Sequence, residues 1–412
     1  MTLVLIFATV LLLAVLISER ADRSVISTAV LFLIAGFVLS DGMLSVLVLT
    51  PGNPAVSALA TLALFSVLFT DGMRTGVREL VGAWKLPGRA LLFGLPLALV
   101  FTALLAHWVA GLPWLEAFLL GAVLSPTDPV FAAAIVGRQE VPKRLRQLLN
   151  VESGVNDGLA LPLVVVLLAV AGNNDVNIGG VAGEVALGVA AGVLIPWLAV
   201  RLERSRHLGA HSKYKPFYAF AIGLLVLSVT SITHANEFLA AFAAGITIAT
   251  VGPEIREAFH QFGELVAELL KLTALLIFGA LMSPQFLAEV PWTGYAFAVL
   301  VLFAVRPASL LIALLGSRSR LDWRERLVAA WFGPKGFASV VFGLLVLGSG
   351  LPRANELFHL TAIVVTGSIL AHSSTDSIVA RWLNRSRTAD GTSAGEPDTS
   401  GDGDPEKPTP ST

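Results

Sequence analysis

Two short polar clusters interrupt apolar stretches of the sequence, and both contain residues able to exchange a proton for a cation. They read SPTDP at residues 125–129 and ESGVNDG at residues 152–158. Removing a carboxylate from water favours its protonated form, whereas a bound cation favours the ionised form. One cluster of oxygen atoms can therefore hold a proton or a small cation in turn, but not comfortably both.

The first cluster predicts a broken helix. Two prolines three residues apart remove backbone donors and interrupt the helical hydrogen-bond ladder. Such backbone is tolerated at membrane depth where it lines a cavity or is buried in protein. The freed carbonyls and the hydroxyl of Thr127 can coordinate a cation, and Asp128 can face the positive N-terminal end of a half-helix. The alternative interpretation is a proline kink with a capping aspartate.

The second cluster predicts a polar helix face. Residues four apart on a helix share a side, so Ser153 points the same way as Asp157, and Glu152 the same way as Asn156. Asp157 lies near the middle of its apolar segment, and we expect its carboxylate to be the group for which proton and cation compete. The alternative is a purely structural polar network.

Two basic residues also lie inside apolar segments. Arg306 precedes a proline near the centre of its segment, and an unpaired arginine there would be very costly. Glu152 is the first candidate for its partner and Asp128 the second; a structural ion pair is favoured over a direct role in transport. Lys335 lies in the sequence GPKG at 333–336, which indicates a second broken helix whose lysine would neutralise the negative C-terminal ends of half-helices.

The elements that must position these residues are long apolar helices. Of 412 residues, 55% are hydrophobic and 14% are charged, against roughly 25% charged in soluble domains. Transmembrane strands alternate apolar and polar residues, whereas these runs are continuously apolar, so an all-α polytopic membrane protein is predicted. Thirteen transmembrane segments are expected, at about 2–18, 25–46, 55–73, 89–110, 115–136, 147–172, 179–200, 217–234, 237–251, 265–287, 294–316, 326–348 and 357–382.

Loop charges predict the orientation of these segments. Loops after odd-numbered segments contain lysines and arginines, among them Arg256 after the ninth, whereas Arg353 is the exception after even-numbered ones. Positive loops stay in the cytoplasm, which places the N-terminus outside and the C-terminus inside. Segment 2–18 has no preceding basic residue and no clear cleavage site, so we expect a retained helix rather than a signal peptide.

The two breaks predict internal symmetry. They fall in the fifth and twelfth segments, an odd spacing that inverts the second relative to the first, and paired breaks indicate a binding site between inverted-topology repeats. We expect repeats at about 1–172 and 217–382 and a linker helix at about 179–200. Residues 383–412 lack an apolar run and end in a stretch rich in Gly, Ser, Thr, Pro and acidic residues, which predicts a disordered cytoplasmic tail.

Taken in order, these motifs resemble those of the monovalent cation:proton antiporters, specifically the NhaP-like and eukaryotic sodium/proton-exchanger branch. The resemblance rests on TDP at 127–129, ESxxNDG at 152–158, Arg306 with its following proline, and GPKG at 333–336, and the helix pattern extends it over nearly residues 1–382. It implies a homodimer of the inner (plasma) membrane, with an elevator-like moving core and a part in pH homeostasis.

The resemblance also implies roles for individual residues. A cation would be held around Asp157, with oxygens from Thr127 and Ser153, and Asn156 would orient the site. The Asn-Asp pair marks electroneutral exchange of one cation for one proton. Asp128 and Lys335 would balance the crossed half-helices, and Glu152 would pair with a basic residue.

Two positions depart from the pattern of the family. Many relatives have arginine where this chain has Lys335, and lysine is a compact charge that makes less fixed pairs. Relatives often carry an acid directly after phenylalanine in the third segment, whereas here Asp71 comes one place later, in FTDG at 69–72. Asp71 is expected to be either a residue of a cytoplasmic funnel or an ordinary charge at a helix end.

Other functions remain as alternatives. Sodium is the first choice of cation, with lithium or potassium exchange possible for the same residues. A passive channel is disfavoured because no carbonyl-filter repeat occurs and mid-membrane carboxylates suit alternating access. Enzyme chemistry lacks a nucleophile–base pair or metal-spaced histidines, no cofactor is expected beyond the transported ions, and no basic face suits nucleic acid.

Overall fold

The chain folds as an assembly of helices in the computed structural model, which describes residues 2–21, 28–47, 49, 53–74, 86–128, 141–172, 178–205, 209, 211–315 and 321–389. Within these ranges all regular elements are helical and there is no β-strand. The helices are α1 Thr2–Ala21, α2 Thr28–Leu39, α3 Pro54–Arg74, α4 Pro87–Trp108, α5 Trp114–Leu124, α6 Lys143–Gly172, α7 Ile178–Glu203, α8 Lys215–Ile232, α9 Glu237–Val251, α10 Pro253–Leu281, α11 Pro284–Glu289, α12 Trp292–Ala313, α13 Trp323–Trp331, α14 Phe337–Gly348 and α15 Ala354–Ala389.

Seven helices of the described part are long and apolar enough to cross a membrane. They lie in α3, α4, α6, α7, α8, α12 and α15, and shorter apolar helices are present in α1, α2, α5, α9 and α14. Lipid offers no hydrogen-bond partners to the backbone, whereas a helix pairs its own N–H and C=O groups. A continuous apolar stretch in a membrane therefore folds as a helix. The prediction of an all-helical membrane protein is confirmed.

Several helix boundaries differ from the predicted ones; α2, for example, ends at Leu39 rather than near residue 46. The tenth segment is predicted from residue 265, but α10 begins at Pro253. Its first turns mix charged and apolar residues, so apolar composition alone does not identify them as part of the helix. Arg256 therefore lies in a helix rather than in a loop, and its guanidinium donates to the carbonyl of Arg74 at 3.0 Å. At the other end, α15 continues to Ala389, so residues 383–389 are helical rather than part of a disordered tail.

Glycines bring the central helices into close contact. A Cβ on Gly245 of α9 would overlap the carbonyl of Phe69 in α3, and one on Gly279 of α10 would overlap the carbonyl of Leu33 in α2. Small residues allow helix backbones to approach in lipid, where the hydrophobic effect does not drive association. Helix α3 also packs against α10, and Asp71 lies on the wall of a cavity between these two helices.

The two predicted breaks meet in space. Helix α5 ends at Leu124 and continues as non-helical chain to Asp128, while α13 and α14 are separated by non-helical residues 332–336. The backbone N–H of Asp128 donates to the carbonyl of Pro334 at 2.9 Å, so the two interruptions are joined directly. The rest of the fifth predicted segment, with Pro129, and the last part of the predicted tail, 390–412, lie outside the described residues.

Candidate functional site

Opposite charges cap the two half-helices where they cross. A carboxylate oxygen of Asp128 accepts from the N–H of Phe337, the first residue of α14, at 2.9 Å. The ammonium of Lys335 donates to the carbonyls of Ser125 and Pro126, just beyond α5, at 3.3 and 3.4 Å. The acid therefore faces the positive end of one helix and the lysine the negative end of the other, which stabilises both termini inside the membrane.

Gly336 is required for this arrangement, because a Cβ at that position would overlap the Asp128 side chain. We predict that Gly336→Ala displaces Asp128 from the start of α14, with overpacking that costs about 1–3 kcal/mol. Thermal unfolding in detergent should show a clearly lowered midpoint. Gly348→Ala, at the far end of α14 and with open space around the new methyl group, is the control and should leave the midpoint unchanged or raise it slightly.

Next to the crossing, oxygen atoms from two chain segments converge. The hydroxyls of Thr127 and Ser153 are 3.3 Å apart. The amide nitrogen of Asn156 donates to the hydroxyl of Thr127 at 2.7 Å and to its carbonyl at 3.2 Å. Asn156 thus connects α6 to the non-helical chain after α5 and holds the Thr127 hydroxyl in position.

Asp157 lies on the same face of α6 as Ser153, one turn further along, and is 6% exposed. One of its carboxylate oxygens, Oδ1, has no hydrogen-bond partner among the described residues, and the same holds for the side-chain oxygen of Asn156. Buried polar atoms are rarely left without partners unless a water, ion or proton serves them. The cluster therefore has the chemistry of a site for a proton or a small cation.

Arg306 and Glu152 form a buried ion pair that joins α12 to α6. Both guanidinium NH groups donate to the carboxylate, one of them at 2.8 Å and the other to Oε1. Arg306 is 6% exposed and Glu152 3%. A Cβ on Gly333 would overlap the guanidinium of Arg306. Gly333, which lies within the break in the twelfth segment, thus leaves the space that Arg306 occupies.

Asp71 lies on the wall of a cavity of about 470 Å³ between α3 and α10. Its carboxylate is 3.4 Å from a guanidinium nitrogen of Arg74, which in turn is 2.6 Å from Glu264 of α10. The polar residues around the cavity are Thr70, Asp71, Arg74, Gln261, Glu264, Glu268 and Lys271. Both expectations for Asp71, a residue of a cytoplasmic funnel and an ordinary charge at a helix end, stay predictions: Asp71 lines this cavity and also lies in the last turn of α3.

The structure adds residues near the site that the sequence did not single out. Lys271 lies on the cavity wall; a lone lysine inside an apolar segment was a signal that could have found it. Ser368 accepts from the N–H of Lys335 at 2.7 Å and lies 3.2 Å from Nδ1 of His372, whose Nε2 is 2.9 Å from the carbonyl of Trp331. These contacts hold the break between α13 and α14 against α15, and no spacing in the sequence announces them.

Comparison with known proteins gives a consistent picture along the chain. The family model described as sodium/hydrogen exchanger, transmembrane, matches residues 6–382. The K(+)/H(+) antiporter NhaP2 of Shewanella baltica is 25% identical over 384 residues, which cover 92% of this chain and 66% of that protein. The K(+)/H(+) antiporter NhaP of Alkalimonas amylolytica is 27% identical, with 90% of this chain and 64% of that protein covered. The chain thus spans about two thirds of the length of these relatives.

The fold is also similar to that of a solved protein. The sodium proton antiporter MjNhaP1 from Methanocaldococcus jannaschii superimposes with a TM-score of 0.76, with 93% of this chain and 100% of that chain covered. The two sequences are 18% identical. At this level of identity the similarity concerns the arrangement of helices and not the choice of ion.

Proposed function

The chain belongs to the sodium/hydrogen exchanger family, as its motifs predicted, and we propose that it exchanges one Na⁺, or Li⁺, for one proton as a secondary antiporter. The family transports cations and protons and is not a class of enzymes. The proposal rests on the buried Asp157 carboxylate, which has an unpartnered oxygen among the described residues. It lies one turn along α6 from Ser153, whose hydroxyl is hydrogen-bonded to that of Thr127. Such a carboxylate binds a proton when no cation is present and releases it when a cation enters.

The hydrogen bonds of the neighbouring carboxylates support the exchange of one cation for one proton. Glu152 is bound to Arg306 by two hydrogen bonds, and Asp128 accepts from the first N–H of α14. Both carboxylates stabilise the structure in their ionised form. Asp157 is then the one acid of the cluster whose charge changes during transport. Exchange of one monovalent cation for one proton is electroneutral.

The architecture proposed for this activity follows the crossing of the half-helices. The reciprocal caps given by Asp128 and Lys335 suit inverted repeats at about 1–172 and 217–382, linked by a helix at about 179–200. We propose thirteen spans, with the N-terminus outside and the C-terminus in the cytoplasm, in a homodimer of the inner membrane. The core that contains the site would move past the rest of the protein and expose Asp157 to each side in turn.

The choice of cation depends on the size of the oxygen shell. The hydroxyls of Thr127 and Ser153 are hydrogen-bonded to each other at 3.3 Å, and both oxygens can turn toward a bound cation. We propose Na⁺ or Li⁺ as the first candidate. Potassium/proton exchange is the second candidate, because two relatives aligned with 90% or more of this chain carry the name K(+)/H(+) antiporter.

We expect a pulse of Na⁺ to drive proton movement across liposomes that contain the purified protein and an internal pH dye. Na⁺, Li⁺, K⁺ and choline are added in turn, with the membrane potential clamped. Choline should give no signal, and clamping should not change the Na⁺ response, because the exchange moves no net charge. A larger response to K⁺ would select the second candidate, whereas cation flux without any proton counterflux would contradict antiport and indicate a channel.

A further inference from the structure

Lys271 lies on the wall of the cavity between α3 and α10 and reaches toward the candidate site. Its ammonium is 5.9 Å from the centre of the Phe337 ring, and the N–H of Phe337 is the donor to Asp128. Asp71 lines the same cavity as Lys271. Asp128 follows Thr127 in the chain, and the Thr127 hydroxyl belongs to the candidate site around Asp157. A positive side chain thus stands within electrostatic range of the place where a cation would bind.

Four other charged side chains line this cavity, namely those of Asp71, Arg74, Glu264 and Glu268. Arg74 from α3 is engaged by Asp71 and by Glu264 of α10, at 3.4 and 2.6 Å. Glu268 lies one turn before Lys271 on α10 and lines the same cavity. Among the described residues, no carboxylate lies within 4.0 Å of the Lys271 ammonium.

We propose that Lys271 is a fixed positive charge that sets how strongly the site around Asp157 holds both of its ions. This inference rests on the proposed exchange of a cation for a proton at that site. Lys271 does not touch the ion; it acts through the electrostatic potential at Asp157. An ion that is held less strongly also leaves the site more readily, which transport requires.

The charge of Lys271 should also affect the pH dependence of transport. A cation and a proton carry the same charge, so Lys271 weakens the binding of both by about the same factor. At alkaline pH no proton competes, and the apparent affinity for the cation reports its own binding. At acid pH the apparent affinity depends on the ratio of the two binding constants, and a common factor cancels. Removal of the charge should therefore change the apparent KM at alkaline pH (the alkaline limb of the pH profile) and leave it unchanged at acid pH (the acid limb).

We expect Lys271→Gln to lower the apparent KM for Na⁺ about three- to tenfold at alkaline pH, the effect of one charge at this range in a partly hydrated cavity. At acid pH its KM should coincide with that of the unchanged protein, and the pH at which affinity begins to worsen should be higher. Lys271→Arg keeps the charge and should keep both limbs. The measurement is Na⁺-driven proton movement in liposomes over a series of pH values; K⁺ replaces Na⁺ if K⁺ drives the unchanged protein.

The control is Lys215→Gln, which removes a lysine that pairs with Glu254 at 2.6 Å and does not line the cavity. It should alter neither limb. A KM for Lys271→Gln that shifts equally at all pH values, or does not shift at all, would overturn the proposal. So would a folded Lys271→Gln protein without exchange, because the charge would then be needed for transport itself.

A second variant tests the same field if Lys271→Gln does not fold. Glu268→Gln removes a negative charge beside Lys271, so the potential at Asp157 becomes more positive and the alkaline KM should rise, again with the acid limb unchanged. A fall in the alkaline KM, or no change in it, would contradict the proposal. Failure of the proposed function is seen separately, as a lack of cation-dependent proton movement in the unchanged protein.

Discussion

Asp157→Asn is expected to reduce cation-driven proton movement to the level of protein-free liposomes. The amide keeps the shape of the side chain but neither ionises nor carries the exchanged proton. The folded protein should nevertheless be at least as stable as the unchanged one, because a neutral group replaces a carboxylate that is 6% exposed. Loss of exchange without loss of stability is the signature of a residue that binds the transported ions.

The measurement combines the pH-dye assay in liposomes with thermal unfolding of the same preparation in detergent. Asp41→Asn is a suitable control, since Asp41 is an exposed acid in the turn after α2 and its amide should transport normally. If Asp157→Asn retained Na⁺-dependent proton movement, another carboxylate would have to carry the proton. Asp71, on the wall of the neighbouring cavity, would then be the first to examine.

We expect the Arg306→Ala substitution to reduce the yield of folded protein strongly. The substitution leaves Glu152 buried, 3% exposed, without the two hydrogen bonds that it now accepts. Breaking a buried ion pair from one side costs about 3–5 kcal/mol, a large part of the stability of most proteins. The yield of monodisperse protein after size-exclusion chromatography and the midpoint of thermal unfolding should both fall strongly.

A double substitution distinguishes a structural pair from a transporting one. Arg306→Met combined with Glu152→Leu replaces both charges by apolar groups of similar volume, which is often neutral or stabilising. We expect this variant to recover stability and a substantial part of the exchange activity. A well-folded Arg306→Ala protein without activity, or a stable double variant that transports nothing, would instead assign the pair to the transport cycle.

The sequence predicted those parts of the structure that depend on local properties. Long apolar runs became helices because length and hydropathy act within one segment. The breaks at 125–129 and 333–336 were evident from proline and glycine, whose backbone effects are local. The Arg306–Glu152 pair, 154 residues apart, was the favoured choice of the two because a buried arginine must have an acidic partner and few acids lie at membrane depth.

Other features depend on tertiary packing and left little trace in the sequence. The contact of Arg74 with Glu264 spans 190 residues, and nothing local indicates which helices form the cavity wall. The first turns of α10 are amphipathic, so a rule based on hydropathy missed them. The contact of Ser368 with Lys335 requires α15 to lie against the break, and a serine in an apolar helix has no characteristic pattern.

The choice between Na⁺ and K⁺ could not be predicted from residue types. It depends on small differences in the spacing of oxygen atoms and on the energy of dehydration, and the same hydroxyls and carboxylate occur in either case. The 3.3 Å separation between the hydroxyls of Thr127 and Ser153 is a property of the folded chain. The two residues belong to different segments, and the sequence between them does not determine the distance between their hydroxyls.

Competition between a cation and a proton at Asp157 is tested most directly by counting the protons that leave the protein when a cation binds. Na⁺, or K⁺ if K⁺ drives exchange, is added to purified protein in weakly buffered detergent solution, and binding is followed by calorimetry together with the change in pH. We predict that, over a wide range of pH, release approaches one proton per cation toward the acid end, declines toward the alkaline end, and is lost in Asp157→Asn, because one carboxylate holds either ion. Cation binding without proton release across this range, or release that persists in Asp157→Asn, would contradict the account.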